Sequence, residues 1–154
     1  GVQTCALPIW RRHGRPLSIC VVDIDHFKRI NDTLGHLRGD KVLKLVAREI
    51  SRKVRNEDFV ARYGGEEFVL LKSGPHDFAA FLDDVRARVM ELGILHEASA
   101  TAEVLTVSLG GVVAQAVGLD TPAALLRRAD ELLYTSKRDG RNRATVTAYA
   151  PAAA

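Results

Sequence analysis

Four carboxylates stand in two short stretches of this sequence: Asp23 and Asp25 close the run from Ser18 to Val22, and Glu66 and Glu67 follow directly on Gly64-Gly65. The first run is short and rich in β-branched residues, so it reads as a buried strand delivering carboxylates at its C-terminal end. Side chains two apart share a strand face, and Asp23 and Asp25 are therefore expected to point together. The residues Phe59 to Tyr63 and Glu66 to Leu71 flank the glycine pair, which readily supplies the positive φ angles of a two-residue hairpin turn. If this hairpin lies beside the first strand, several carboxylates face one cavity. Mg²⁺ prefers oxygen ligands, usually one or two carboxylates with waters and substrate phosphates, so such a cavity is a candidate for metal-assisted phosphoryl chemistry. The alternative is a set of solvated acids at strand ends.

The elements that must position these groups follow from periodicity and punctuation. Val42, Leu45, Val46, Ile50 and Val54 recur at helical spacing between Asp40 and Arg55, with Asp40 placed as an N-cap. Phe78, Phe81, Leu82, Val85 and Val89 mark a second helix closing near Gly93. Val104 to Leu109 reads as a strand that Gly110-Gly111 breaks before Val112 to Ala114. Thr121 and Pro122 provide a cap and first position for a third helix stopping at Gly140, and Arg143 to Thr147 is a last strand. The order strand, helix, hairpin, helix, strand, helix, strand predicts an α+β domain, a mainly antiparallel sheet flanked by helices.

Composition narrows the class. The 154 residues suit one domain able to bury its own core, and 47% hydrophobic with 27% charged residues is the balance of a globular chain. A net charge of +3, from 22 basic and 19 acidic residues, is too small to imply a nucleic-acid polymer as partner, though a nucleotide would suit it. Cys5 and Cys20 show neither CxxC spacing nor the density of a disulfide scaffold, so a reducing cytoplasm is expected. No apolar run reaches the ~20 residues needed to span a bilayer, and direct membrane insertion is not expected.

Three longer motifs carry more information than the carboxylates alone. These are Asp23 to Asp40 (DIDHFKRINDTLGHLRGD), Arg62 to Phe68 (RYGGEEF), and Arg128 to Asp130 continuing through Lys137 to Asn142 (KRDGRN). Together, from about Arg12 to Val146, they resemble the GGDEF family of diguanylate cyclases. The resemblance implies a palm-like, nucleotidyl-cyclase-like fold related to the ferredoxin-like one, and an enzyme condensing two GTP into cyclic di-GMP and two pyrophosphates. It implies Mg²⁺, with Mn²⁺ as a substitute, held by Asp23, Glu66 and the carbonyl of Ile24. Glu66 also matches the residue proposed to help deprotonate the attacking 3′-hydroxyl. Glu67 alternates to the other side of its strand and is given less weight.

Further roles are carried over position by position. His26, Phe27 and Lys28 match a phosphate-cradling segment after the strand, with Lys28 placed to stabilise developing charge. Lys137 and Arg141 match a distal phosphate-binding pair; the plain alternative is basic residues favouring a helix C-terminus. Asn31 and Asp40 match the pair that reads guanine through its N1–H, 2-amino and O6 groups, and Leu43 is placed against the base. Arg55 and Asp58 form the RxxD pattern of a product-inhibitory site, with Arg86 as a second arginine. Because one pocket holds one GTP, a homodimer is implied for catalysis. An alternative within the family is a weak or inactive module that binds GTP or cyclic di-GMP as a receptor. His36 has no ligand partners at metal spacing and reads as loop packing.

The chain departs from the family at its start. The upstream segment with the pattern DxLTGLxNR is missing, and residues 1–10 have no helical period and resemble translated adapter sequence. The expected organisation is a non-native leader over 1–10, a GGDEF domain over 11–147 without its usual upstream helix, and a loose tail over 148–154. Lower stability and weaker GTP affinity than in an intact homologous domain are expected from that loss. As the output domain of a larger sensor, such a chain would be cytoplasmic.

Overall fold

The computed structural model describes residues 16–74, 77–115 and 122–149. Its first strand, β1 (Leu17–Ile24), is buried along its whole length because both its faces are covered. Leu17, Ile19 and Val21 join Val69, Leu71, Val112 and Ala114 on one face, and Cys20, Val22 and Ile24 join Phe68, Leu70, Val107 and Leu109 on the other. Burial pushes the Cys20 thiol far up, leaving it a neutral core group.

Two helices follow where one was expected. α1 (Phe27–Leu34) and α2 (His36–Ser51) are separated by Gly35, at φ 85. The sequence pattern predicts no element for α1, although Phe27 and Ile30 at i and i+3 are its buried positions. Asp40 is not an N-cap as expected: α2 begins at His36 after Gly35, which places Asp40 on its second turn, and the helix ends at Ser51 rather than Arg55.

β2 (Phe59–Arg62) and β3 (Glu67–Ser73) form the expected hairpin, but its tip is longer than two residues. The last ladder pair is Arg62 with Phe68, Tyr63 N–H donates to the Glu67 carbonyl at 2.7 Å, and only Gly64 of the two glycines has a positive φ. Arg62 closes the tip, its guanidinium donating to the Gly65 carbonyl at 2.7 and 3.0 Å.

α3 (Phe78–Glu91) is capped by Asp77, whose carboxylate accepts from Ala80 N–H. β4 (Val107–Ala114) corrects a second expectation, since it runs unbroken through Gly110-Gly111. The reason lies in packing and not in backbone freedom. A Cβ on Gly110 would stand 2.2 Å from backbone atoms of Ala129 and Leu133 in α4 (Pro122–Arg138), and one on Gly111 would stand 2.6 Å from Leu82 of α3. The two glycines let helices press on both faces of one strand. β5 (Ala144–Ala148) lies parallel to β4, one residue later than expected. Residues 1–10 and Thr121, the expected cap of α4, lie outside the described residues.

The sheet order is β2-β3-β1-β4-β5, antiparallel except for the last pair. This is the expected α+β architecture: α1, α2 and α3 cover one face and α4 the other. Among the described residues no helix is long and apolar enough to cross a membrane.

Candidate active site

The C-terminal end of β1 is where the carboxylates meet. Asp23 lies opposite Glu67 of β3 and Ser108 of β4, so these three side chains share one sheet face. Ile24 N–H donates to the Glu66 carbonyl at 3.3 Å, tying the hairpin tip to the strand end. Over this face comes the last turn of α4, whose Lys137 ammonium contacts the Asp23 carboxylate at Oδ2. Burial pushes the Asp23 carboxyl above its usual range; Lys137 opposes that rise, and Glu66 and Asp25 add to it. The Glu67 carboxyl is also raised, first by burial and then by Asp23 and Asp130. Glu67, given less weight in the sequence, thus faces Asp23 directly, whereas Glu66 projects from the tip just beyond β3. Only the pairing register could have revealed this.

Asp25 lies on the same side as Asp23, as expected, since Ser108, on the face of Asp23, bonds to it, but its surroundings differ. It lies past the strand end and its carboxylate accepts from Thr106 Oγ1 at 2.7 Å, Ser108 Oγ at 2.6 Å and Asn142 N–H at 3.1 Å. With three donors it is a satisfied buried anchor. It fixes the turn at Arg141 and Asn142, both at positive φ, and so sets where Arg141 stands. Asp23 is the opposite case: its Oδ1 is buried and has no hydrogen-bond partner. A buried carboxylate oxygen left unpaired is costly, and a divalent cation would satisfy it. No three His, Cys, Asp or Glu side chains among the described residues converge on one point. A site of Asp23, Glu66 and a backbone carbonyl, completed by substrate phosphates, fits Mg²⁺ in the manner usual for that ion.

His26 stands between β1 and α1 at φ 55, its ring nitrogen Nε2 3.0 Å from Thr101 Oγ1. Burial lowers its pKa, helped by Arg141 and Arg29, so Arg141 is close to this turn. Phe27 is buried in the core, and Lys28 is exposed on the first turn of α1. Asn31, on the same helix, rests against Gly39 of α2, where a Cβ would stand 1.9 Å from its Oδ1. Next to Gly39 and one turn on, Asp40 and Leu43 line a cleft of about 500 Å³ between α2 and the hairpin, together with Lys44, Ala61, Arg62 and Phe68.

Arg55 and Asp58 lie just before β2, away from this cleft. The Asp58 side chain is fully buried; it pairs with Lys72 at 3.0 Å and accepts from Arg55 N–H at 2.9 Å. Lys72 also lies 4.7 Å over the Phe81 ring. The Arg55 side chain is half exposed, near Glu57 and the Ser73 carbonyl. Arg86, on α3, bonds to Asp83, Met90 and Asn142, none of which it shares with Arg55 or Asp58. The structure therefore brings Arg55 and Asp58 together, while the Arg86 side chain is engaged with Asp83, Met90 and Asn142.

Residues 5–143 match the family model described as diguanylate cyclase, GGDEF domain. The chain is 41% identical over 140 residues to the diguanylate cyclase DgcP of Pseudomonas aeruginosa, covering 88% of this chain and 20% of that protein. It is 43% identical over 130 residues to the response regulator PleD of Caulobacter vibrioides, covering 84% and 29%. Among solved structures, the coiled coil and GGDEF domain of DgcB from Caulobacter crescentus, in complex with c-di-GMP, superposes with a TM-score of 0.81 at 35% identity, covering 92% of this chain and 75% of that one. The active GGEEF domain of a diguanylate cyclase from Vibrio cholerae gives 0.80 at 32%, covering 94% and 91%. The chain thus spans well under half the length of the curated relatives it matches.

Proposed function

The chain belongs to the GGDEF-domain family of diguanylate cyclases, and from that premise we propose that it condenses two GTP into cyclic di-GMP. The observation that carries this reading is the placement of Asp23 at the end of the central strand, against the Gly64 to Phe68 tip and beneath Lys137. Asn31 and Asp40 read the guanine edge, with Leu43 against the base. The amides and side chains of His26, Phe27 and Lys28, together with Lys137 and Arg141, hold the phosphates. Asp23, Glu66 and the Ile24 carbonyl hold the divalent cation, Mg²⁺ or Mn²⁺. That cation would supply Lewis-acid chemistry to the phosphoryl group and would lower the pKa of the attacking hydroxyl.

The residues of the chain do the rest. Glu66 takes the proton as the 3′-oxygen of one GTP bonds to the α-phosphorus of the other, and the bond to the β-phosphate breaks to release pyrophosphate. Lys28, Lys137 and Arg141 stabilise the charge that builds on the phosphates. The step occurs twice, once in each direction, between two chains facing each other as a homodimer. The product returns to Arg55 and Asp58 as an inhibitor, a reading supported by similar GGDEF domains that were solved with c-di-GMP. Arg86, on the neighbouring helix α3, is the second arginine of that site.

The test is incubation with GTP and Mg²⁺ followed by chromatographic resolution of nucleotides. Cyclic di-GMP is expected from the native chain and is lost in Glu66→Ala. Turnover intact in that variant, or no product from the native chain at high concentration, overturns the assignment.

A further inference from the structure

The turn between β1 and α1 is held from within by Arg29 N–H, which donates to the His26 carbonyl at 3.0 Å, and also from outside. His26 is a non-glycine residue at φ 55, a conformation that is costly unless its surroundings impose it, and its side chain makes no cap to its own helix. The segment that imposes it lies between α3 and β4, closed into a loop by the bridge of Leu95 with Val104. Three contacts run from this loop to the turn. His96 Nε2 lies 3.1 Å from the His26 carbonyl, which fixes that nitrogen as the donor. Thr101 Oγ1 holds the His26 ring at 3.0 Å, and Arg29 donates to the Ala98 carbonyl at 2.8 Å.

The loop is itself braced. His96 N–H donates to the Glu103 carbonyl at 2.8 Å, Ser99 N–H to the His96 carbonyl at 3.0 Å, and Thr101 N–H to Ser99 Oγ at 3.1 Å. His96 is only 3% exposed, so its single side-chain hydrogen bond to the turn is made in a site shielded from water, where it is hard to replace. None of these residues faces Asp23 or the guanine cleft. Their common target is the turn from which the first amides of α1 emerge without intrahelical partners.

We infer that His96, Thr101 and Arg29 are positioning residues for triphosphate binding: they hold His26 in its left-handed conformation, so that the amides at Phe27 and Lys28 are preorganised for phosphate oxygens. This rests on the proposed role of residues 26–28 as the phosphate cradle. It assigns to the loop over 95–104 a part in phosphate affinity that is separate from guanine recognition by Asn31 and Asp40. Preorganised donors bind an anion without a further ordering cost, and losing that preorganisation weakens phosphate contacts selectively.

The experiment uses the full chain and its His96→Ala, His96→Gln, Thr101→Val and Thr101→Ser variants. Backbone amide exchange at residues 27–29 is measured in the free proteins, and affinities for 3′-deoxy-GTP with Mg²⁺ and for guanosine are measured by calorimetry. 3′-Deoxy-GTP lacks the attacking hydroxyl and stays intact. In His96→Ala, exchange at residues 27–29 rises and 3′-deoxy-GTP binds about tenfold more weakly, the size of one lost hydrogen bond, while guanosine affinity is unchanged. His96→Gln, whose amide can donate to the same carbonyl, and Thr101→Ser recover most of both losses. Unchanged exchange in His96→Ala and Thr101→Val overturns the inference, as does an equal fall in affinity for both ligands, the mark of general loosening. If the native chain binds neither ligand, the proposed function fails instead, and the exchange measurement still decides whether the loop holds the turn.

Discussion

Gly39 offers a direct way to separate the fold from its proposed nucleotide recognition. It sits within α2, buried, with Asn31 Oδ1 where a Cβ would be: the two would stand 1.9 Å apart, well under the 3.0 Å below which such contacts are essentially never found. In Gly39→Ala the Asn31 amide must therefore retreat by about 1 Å, more than a hydrogen bond of 2.7–3.2 Å tolerates. Asn31 is only half-buried, so its displaced amide finds water and the fold loses little. Ala in place of Gly within a helix contributes up to about 1 kcal/mol in the other direction. Phe27 Cζ, at 3.2 Å from the new methyl, offsets part of that gain. A lost hydrogen bond to guanine costs about 1–3 kcal/mol, or roughly a five- to hundredfold loss of affinity. Gly39→Ala is thus expected to melt at or slightly above the native temperature while binding GTP at least fivefold more weakly, read by calorimetry and by thermal denaturation of the same sample. Native GTP affinity in a folded Gly39→Ala protein would refute the role of Asn31 in reading the base.

Three further outcomes follow from the packing. Lys72→Met removes the nearer cation from the fully buried Asp58 side chain, leaving it the Arg55 N–H and the Arg55 guanidinium at 3.7 Å; a buried charge that loses its main partner costs up to about 3–5 kcal/mol, so denaturant titration should show a loss that Lys72→Met with Asp58→Asn partly restores. The Glu67 carboxyl is raised by burial and by Asp23, so the folded state binds its proton more tightly than the unfolded state, and ionising it is unfavourable to the fold as pH rises from its ordinary value of 4.5. Glu67→Gln should therefore melt higher than the native chain near pH 7, with the difference vanishing below about pH 4, where both states are protonated; a difference that persists in acid would refute it. Gly110→Ala places a methyl 2.2 Å from α4 backbone that no side-chain rotation can clear, and loss of cooperative unfolding or of soluble protein is expected, in contrast to Gly65→Ala, which meets nothing within 4 Å.

Much of the fold is written in local pattern, and the misreadings share one cause. The period of α2, α3 and α4, the Gly64 turn and the apolar run of β1 are signals carried within a dozen residues each, and all of them formed elements. α1 is not legible in the pattern because its eight residues include Asn31, Asp32 and Thr33, types that favour turns by bonding to nearby backbone. Phe27 and Ile30 instead find their places in the core beside α2. Gly110-Gly111 was read as a break because two adjacent glycines weaken an isolated strand. Their actual office is visible only when helices lie on both faces, at Ala129 and Leu133 on one side and Leu82 and Phe78 on the other. Tertiary contact overrides local propensity at both places.

The site was legible in residue type and less so in role, because a carboxylate's function depends on what its neighbours present to it. Asp23 and Asp25 look equivalent in sequence, two apart on one strand. In the folded chain Asp25 meets two hydroxyls and an amide and is satisfied, whereas Asp23 meets one ammonium and keeps a buried oxygen without a partner. The first arrangement stabilises structure and leaves no lone pair aimed outward. The second leaves the fold short of one favourable contact, and a cation can supply it. Burial raises the carboxyl of Asp23 despite Lys137 beside it, which a bound cation would oppose. An unpaired buried oxygen at one end of a central strand, with a fully satisfied carboxylate two residues away for contrast, is what supports the proposed cation-holding role of Asp23, whereas Asp25 serves the fold.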